Sequence, residues 1–277
     1  MDSPKLTELL ATYVHAVHIL HHHGVLDGFG HLSVRNPEDP ATFFMMYQKA
    51  PVLVSGLDDI GLYYVSDADS VLENTRAPPV ERFIHSEIYK RFPDVNVVLH
   101  GHPEELIPYS NSDLSLRVAV YMAGFLGHRV SKFDITKYYL PDDPQDFLVR
   151  NQRLGEGLAK TFDANGYLVD SERRHNLVLM RNHGFTSIAA DIKTATYQGI
   201  YALVNARAQS ETIKVRQAYG GAELTLATKI TYLNPQQIAE SWQAERELVE
   251  IPWAGWLREV KVNPLYVNRL DPDRGAD

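Results

Sequence analysis

An apolar run that ends in two histidines most constrains how this 277-residue chain can fold. The segment Val95–Leu99 has the character of a buried strand, and the motif His100-Gly101-His102 follows it directly. Side chains two positions apart on an extended segment lie on the same side of it. A third histidine and a carboxylate from elsewhere in the chain would complete a divalent metal site there. Because the chain has 12 histidines, the pair alone does not establish such a site.

A second histidine cluster, His21-His22-His23, is better explained by the end of a helix. A helical pattern begins at Ser3 and Pro4, which suit the N-cap and the first helical position. Histidine side chains are favourable in the last turn of a helix, and Gly24 follows as a stop signal. We therefore predict a helix end here and not a metal site.

The composition limits which kind of protein this is and which ligands a metal site in it could use. Hydrophobic residues make up 44% of the chain, which is enough for a buried core. The net charge of −8, without a long basic run, argues against a nucleic-acid partner. The chain has no cysteine, so any metal would need nitrogen and oxygen ligands. Neither a secretory signal nor a membrane span is predicted, so we expect a cytoplasmic protein.

Periodicity predicts a mixture of helices and strands. The expected helices cover about 3–23, 79–92, 151–162, 191–219 and 235–247, with a short helix near 104–109. The expected strands are 31–35, 43–47, 95–99, 118–122, 176–181 and 185–189, and 51–65 is expected to contain strand and turn pieces. The chain after residue 247, with Trp253 and Trp256, is expected to be an irregular tail on a surface.

The order of these elements favours a layered α/β/α domain. Strands and helices mix without strict alternation, which indicates a mixed or mostly antiparallel sheet between helical layers. We expect a metal-binding domain over residues 1–225. A C-terminal helix and tail over residues 226–277 would pack on this domain or on a neighbouring subunit.

Four motifs, in the expected order over about residues 5–215, resemble the class II aldolase/adducin family. They are Gly30-His31-Leu32-Ser33-Val34-Arg35, Glu81-Arg82-Phe83-Ile84-His85, Asp94 to His102, and Asn182-His183-Gly184. The resemblance implies a class II aldolase-like fold. It also implies one divalent ion per subunit, zinc, manganese or iron, held by His100, His102 and His183. Glu81 would be a further ligand or an acid/base group.

The resemblance implies further roles for single residues. Tyr121 matches a family tyrosine that protonates the intermediate from a neighbouring subunit, although a packed strand tyrosine is equally compatible with its position. His85 lies one helical turn after Glu81 and could support the site or fill the core. The family generally forms cyclic tetramers with the metal near the subunit interface, so we expect a homotetramer.

The sugar-phosphate aldolases of the family differ from this chain where they bind phosphate. They usually carry Gly-Asn where this chain has Gly30-His31, and a Ser-Ser pair where it has Pro79-Val80. They also carry a phosphate-binding loop further along the chain, and the only candidate for that loop in this sequence is Ser55-Gly56. We therefore expect a non-phosphorylated carboxylate substrate, and we predict that four residues bind it: His31, Ser33, Arg82 and Arg181.

The segments Glu81–Tyr89 and Met122–Gly127 are instead similar to another branch of the family. That branch contains decarboxylases of hydroxylated aromatic or pyridine carboxylates and a few iron-dependent oxygenases that cleave carbon–carbon bonds. We predict a metal-dependent lyase that decarboxylates, or cleaves by a retro-aldol step, a non-phosphorylated hydroxy, keto or hydroxy-aromatic carboxylic acid through a metal-stabilised enolate. An Fe(II)-dependent oxygenase is the alternative. A sugar-phosphate aldolase is less well supported because the phosphate-binding positions differ. A non-catalytic adducin-like module is less well supported because all four ligand positions are retained.

Overall fold

The computed structural model describes residues 3–72, 76–163, 175–220 and 229–271. Its helices are α1 (Pro4–His22), α2 (Arg82–Arg91), α3 (Ile107–Asn111), α4 (Gln152–Thr161), α5 (Ile192–Gly220), α6 (Pro235–Glu245) and α7 (Glu250–Val262). Its strands are β1 (His31–Arg35), β2 (Thr42–Met46), β3 (Ile60–Tyr64), β4 (Val97–Gly101), β5 (Ser131–Phe133), β6 (Leu177–Met180) and β7 (Gly184–Ala189). Short 3-10 helices cover Pro51–Leu53, Leu57–Asp59, Tyr121–Leu126 and Ile135–Tyr138.

The strands within the described residues form one sheet in the order β3-β2-β1-β4-β7-β6-β5. Every neighbouring pair is antiparallel except β5 and β6, which are parallel. The predicted mixed, mostly antiparallel sheet is therefore confirmed. β5 was not predicted because three residues carry too little pattern to distinguish a strand from a loop.

Two hydrophobic clusters cover the two faces of the sheet. One joins buried side chains of α1, α5 and α7 to the sheet, including Leu10, Val17 and Leu203. The other contains Ile84 and Ile88 of α2 and apolar residues of α4. The sheet thus lies between two helical layers, as the α/β/α prediction requires.

The histidine cluster at the end of α1 is a helix end, as predicted. The helix stops at His22, and Gly24 adopts a φ of +73°, which favours glycine. His23 Nε2 lies 2.9 Å from Glu259 Oε2, and His21 Nδ1 lies 2.9 Å from the Tyr266 hydroxyl. These side chains therefore attach α1 to the C-terminal part of the chain.

Residues 118–122 were predicted to form a strand, and this prediction is wrong. The side chain of Asn205 on α5 accepts hydrogen bonds from the Ala119 and Val120 amides, at 2.8 and 3.2 Å, and donates one to the Arg117 carbonyl. These bonds satisfy the backbone without a partner strand, and a 3-10 helix begins at Tyr121. Val118 of this apolar pattern is buried, but the pattern predicted the wrong element.

The C-terminal part is also more regular than predicted. α7 replaces the expected irregular tail, with Trp253 only 5% exposed, and the helix lies against α1 and α5. Pro252 did not prevent a helix because it lies in the first turn, where its missing N–H is not needed. The predicted domain boundary at residue 225 lies outside the described residues. None of the described helices combines the length and apolar character that a membrane crossing requires.

Candidate metal centre

Four predicted ligands converge at one end of the central strands. His100 lies on β4 and His102 directly after it, while His183 lies in the turn between β6 and β7. Glu81 precedes the first residue of α2 and is 8% exposed. One ligand atom from each residue lies within 4.8 Å of the others. These four side chains could therefore hold one metal ion.

Two glycines allow the strand ends to approach closely enough for this arrangement. A Cβ atom on Gly184 would collide with the carbonyl oxygen of Gly101, and a Cβ on Gly101 would collide with that of Val25. Asn182, with a φ of +55°, makes the turn that precedes Gly184. The Asn-His-Gly and His-Gly-His motifs thus bring His183 beside His100.

The carboxylate of Glu81 faces the histidines with one oxygen. Its Oε1 accepts a hydrogen bond from the Val149 amide at 2.9 Å, which fixes the side chain. Its Oε2 lies 3.6 Å from His183 Nε2 and 3.7 Å from His100 Nε2. The carboxylate is therefore placed to be a ligand or to hold a proton beside the site.

The neighbours of two histidines determine which ring nitrogens face the site. His100 Nδ1 lies 2.9 Å from the Phe185 carbonyl oxygen, and His102 Nδ1 lies 3.1 Å from Asp27 Oδ1. Both oxygens can only accept, so each Nδ1 carries a hydrogen, and in the neutral form of each ring Nε2 presents a lone pair. These two Nε2 atoms are 2.9 Å apart. Two lone pairs at this distance repel each other unless a cation lies between them, so the donor set fits a divalent metal ion.

Asp27 contacts the candidate ligand His102, and the sequence analysis did not identify it. Its hydrogen bond from His102 lowers the pKa of the carboxyl group, and bonds from the Phe29 and Gly30 amides lower it further, against the opposing effect of burial. An ionised carboxylate behind a metal-binding imidazole orients the ring and increases its basicity. The sequence signal was an aspartate in a glycine-rich turn, which is also typical of ordinary turns.

A cavity of about 540 Å³ opens beside the four residues. Its wall contains His31, Glu81, His102 and His183, and also Phe29, Met46, Tyr47, Lys49, Phe147 and Leu148. The carboxylates of the wall are Glu81 and Asp146, and Asp146 is paired with Arg150. The wall is otherwise largely aromatic or apolar, with Lys49 as its lysine. This combination suits a flat apolar ligand that carries a negative charge.

His31 is the only residue among the four predicted substrate contacts that lines this cavity in the described chain. It pairs with His100 in the β1–β4 register, and its Nδ1 lies 2.8 Å from His85 Nε2. Burial lowers the pKa of His31 well below its ordinary value and that of His85 to about 3. Both rings are therefore uncharged at neutral pH.

The other three predicted substrate contacts lie elsewhere. Ser33 is fully buried behind the cavity, where it contacts His85. The Arg82 guanidinium donates to the Ala68 carbonyl at 2.8 Å and so braces a loop. Arg181 lines a separate cavity together with Lys132, and its Nη1 lies 3.7 Å from Asp134 Oδ2. The turn at Asn182 directs the side chains of Arg181 and His183 to different sides.

Tyr121 does not reach the cavity of its own chain. It begins the 3-10 helix Tyr121–Leu126, and 59% of its surface is exposed. Its electrostatic neighbours include Tyr197 and Tyr201 on α5. A role for Tyr121 in the reaction would therefore need a second subunit.

The whole site lies within the region that matches a known family. The family described as "Class II Aldolase and Adducin N-terminal domain" matches residues 11–209. The chain belongs to this family. The resemblance predicted from the four motifs is thereby confirmed, together with the predicted fold.

Two relatives of this chain are named after an enzyme activity. The decarboxylase tropJ of Talaromyces stipitatus is 42% identical over 259 residues, which cover 93% of this chain and 96% of that protein. The 3,4-dihydroxyphthalate decarboxylase of Arthrobacter keyseri is 29% identical over 190 residues, which cover 67% of this chain and 71% of that protein. The predicted enzyme class, a lyase of the decarboxylase type, is confirmed by these relatives.

Solved structures support the fold. An aldolase II superfamily protein from Pseudomonas syringae superposes with a TM-score of 0.68 and 18% identity, over 97% of both chains. L-fuculose 1-phosphate aldolase from Glaciozyma antarctica gives a TM-score of 0.64 and 15% identity, over 95% of this chain and 92% of that one. At these identities the likeness concerns the fold alone.

Proposed function

We propose that this protein is a metal-dependent decarboxylase of a non-phosphorylated hydroxy-aromatic carboxylic acid. The observation that carries the proposal is the pair of imidazole Nε2 atoms 2.9 Å apart, which His183 and Glu81 join at the end of a largely aromatic or apolar cavity. The relatives named as decarboxylases support the reaction type.

The residues of this site divide the chemistry between them. A divalent ion bound there would supply a Lewis acid that stabilises the negative charge left when a carbon–carbon bond breaks. His100, His102 and His183 would hold the ion as neutral imidazoles. Glu81, fixed through its Oε1 by the Val149 amide, would complete the ligand set or hold a proton at Oε2. The apolar wall would exclude water from the reacting carbon.

Lys49 is the cation best placed to bind a carboxylate of the substrate. It lines the cavity, and Asp59 holds its Nζ at 2.6 Å. Burial raises the pKa of Asp59, but hydrogen bonds from Lys49 and Ser55 outweigh this effect and lower it. An ionised Asp59 orients the ammonium group, which retains donors for a second anion. Lys49 therefore replaces Arg82 and Arg181 in the proposal.

The candidate phosphate loop is already occupied by groups of this chain. The Asp59 carboxylate accepts both the Ser55 amide and the Ser55 hydroxyl, at 2.8 and 3.0 Å. The Arg269 guanidinium covers Gly56 so closely that a Cβ there would lie 3.1 Å from it. A phosphate would have to displace a carboxylate from these donors, which supports a non-phosphorylated substrate.

The test is a substrate panel with the purified protein and its metal content. We expect stoichiometric metal, release of carbon dioxide from a hydroxy-aromatic carboxylate, and equal rates with and without oxygen. His102→Ala should lose both metal and turnover, while the matched variant His22→Ala, at the exposed helix end, should keep both. Turnover that requires oxygen would favour the oxygenase, and turnover confined to sugar phosphates would contradict the proposal.

A further inference from the structure

A file of four buried polar side chains leads from the cavity into the core. His31 Nδ1 lies 2.8 Å from His85 Nε2, and His85 Nδ1 lies 2.6 Å from Ser33 Oγ. Ser33 Oγ in turn lies 2.7 Å from the Tyr89 hydroxyl. All four residues are less than a tenth exposed, and β1 and α2 carry them. We call these four hydrogen-bonded side chains the polar file.

His31 presents an unused ring nitrogen at the cavity end of the polar file. Its Nε2 is buried and has no hydrogen-bond partner among the described residues. The nearest carboxylate oxygen, Glu81 Oε2, lies 4.0 Å from it. A buried polar atom without a partner is costly, so this nitrogen is placed to bind a ligand atom.

The polar file can be satisfied with its hydrogens in two directions. In the first, Tyr89 donates to Ser33, Ser33 to His85, and His85 to His31, which leaves the hydrogen of His31 on Nε2. In the second, every bond is reversed and His31 Nε2 is a lone pair. Because each of these contacts can run in either direction, the groups at the two ends of the file decide between the two arrangements.

Both ends favour the first direction. At the core end, the Tyr89 hydroxyl lies 2.7 Å from Ser33 Oγ but 3.3 Å from the Asn96 carbonyl, which already accepts the Arg35 amide at 2.7 Å. At the cavity end, the nearest carboxylate oxygen, Glu81 Oε2 at 4.0 Å, can accept a hydrogen from His31 Nε2 but has none to donate to a lone pair there.

We infer that His85, Ser33 and Tyr89 hold His31 in the tautomer with its hydrogen on Nε2, as a neutral donor to a substrate oxygen. His85, Ser33 and Tyr89 are thus positioning residues, and His31 is the group that touches the substrate. The inference rests on the proposed function for the identity of that oxygen, which is one that gains negative charge as the carbon–carbon bond breaks. A donor fixed before the reaction stabilises such charge without reorganisation.

The tautomer can be measured directly by ¹⁵N NMR of histidine-labelled protein loaded with zinc, which is diamagnetic. The two ring nitrogens of a neutral histidine have well-separated shifts, and His31→Gln assigns the signals. We expect the hydrogen of His31 on Nε2 in the substrate-free protein. A hydrogen on Nδ1, or a doubly protonated ring, would overturn the inference whether or not any acid is turned over.

Ser33→Ala breaks the polar file without touching the cavity wall. We expect the fraction of His31 with its hydrogen on Nδ1 to rise. Turnover number kcat should fall about tenfold, as when an outer partner of a site histidine is removed, with a smaller change in KM. Tyr89→Phe should likewise raise the fraction of His31 with its hydrogen on Nδ1 and lower kcat. It replaces Ser33→Ala in the test if that variant does not fold.

The matched control is Ser187→Ala, which removes a fully buried hydroxyl from β7 of the same sheet. That hydroxyl has no hydrogen-bond partner within the described chain. We expect this variant to keep the wild-type tautomer and kcat. Equal tautomer populations in Ser33→Ala and Ser187→Ala would refute the role of the polar file. A wild-type tautomer as expected, with no decarboxylation in the panel, would instead refute the proposed function alone.

Discussion

At the residue scale, hydrogen-bond acceptors behind the candidate metal centre determine which lone pairs it presents. The Phe185 carbonyl and the Asp27 carboxylate each accept from an imidazole Nδ1. The two acceptors differ in charge, and only Asp27 can raise the basicity of its imidazole by a full negative charge. We therefore expect Asp27 to contribute to metal affinity without being a ligand.

Asp27→Asn tests this contribution. An amide can still accept from His102 and from the turn amides, but it lacks the charge, so we expect metal affinity to fall about 10- to 100-fold. Competition with a chelator measures it. Asp39→Asn is the control, since Asp39 also accepts a backbone amide, that of Ala41, in a turn outside the site. Equal affinities of the two variants would show that the charge of Asp27 is not used.

Lys49→Gln tests the proposed carboxylate contact. Loss of a charged hydrogen bond to the substrate should raise KM about tenfold. The turnover number should change less, because the bond is made in the ground state and in the transition state alike. Lys90→Gln is a matched control, since Lys90 also holds a carboxylate at 2.6 Å and is 32% exposed, against 35% for Lys49. An unchanged KM in Lys49→Gln would place the carboxylate elsewhere.

At the scale of elements, the 3-10 helix Tyr121–Leu126 is held against α6 by a close backbone approach. A Cβ atom on Gly124 would lie 2.8 Å from the Ile238 carbonyl oxygen and 2.8 Å from the Trp242 nitrogen. Backbone atoms cannot move aside as a flexible side chain can. The glycine therefore sets the distance between this segment and α6, and with it the position of Tyr121.

Gly124→Ala should separate these two elements. We expect a loss of about 1–3 kcal/mol of unfolding free energy, as for other overpacked sites. Gly255→Ala in α7 is the opposite control. A Cβ there meets no atom within 4 Å, so alanine should stabilise the helix by about 1 kcal/mol. Denaturant unfolding measures both, and a Gly124→Ala protein as stable as wild type would show that the contact is not tight in solution.

At the scale of the whole molecule, the chain joins its C-terminal segment to its first helix. Asn268 donates to the Ala11 carbonyl at 2.9 Å, and Asp271 Oδ2 lies 3.0 Å from His15 Nε2. Tyr121 is exposed and does not line the cavity of its own chain. Its predicted role as a proton donor therefore requires that the active site is completed by a second subunit.

We expect a homotetramer in which Tyr121 acts across an interface. Analytical ultracentrifugation gives the assembly state, and a fully active monomer would exclude the shared site. Mixed Tyr121→Phe and His102→Ala subunits should regain activity in hybrid assemblies, since some sites then carry both intact residues. Each variant alone, taken through the same mixing procedure, is the control. No recovery would mean that each chain completes its own site, provided that Tyr121→Phe is itself inactive.

The sequence by itself determined the elements whose signals are local. Helix α1 has its start at Ser3-Pro4 and its stop at Gly24 within one stretch of chain, and strand β4 has its apolar run and its histidine motif together. The candidate ligands were also identified from sequence, because each lies in a short motif. Where a segment satisfied its backbone through a distant partner, as residues 117–120 do through Asn205, the local pattern gave the wrong element.

The tertiary structure alone decided which polar side chains face the cavity. Lys49 lines the cavity and Asp27 lies behind His102, although neither belongs to a motif. Arg82 and Ser33 belong to motifs but point elsewhere. The physical reason is that a side chain's surroundings depend on sheet register and helix packing between residues far apart in sequence. The polar file shows this most clearly. The tautomer of His31 depends on hydrogen bonds whose two partners lie 52 to 56 positions apart in the sequence.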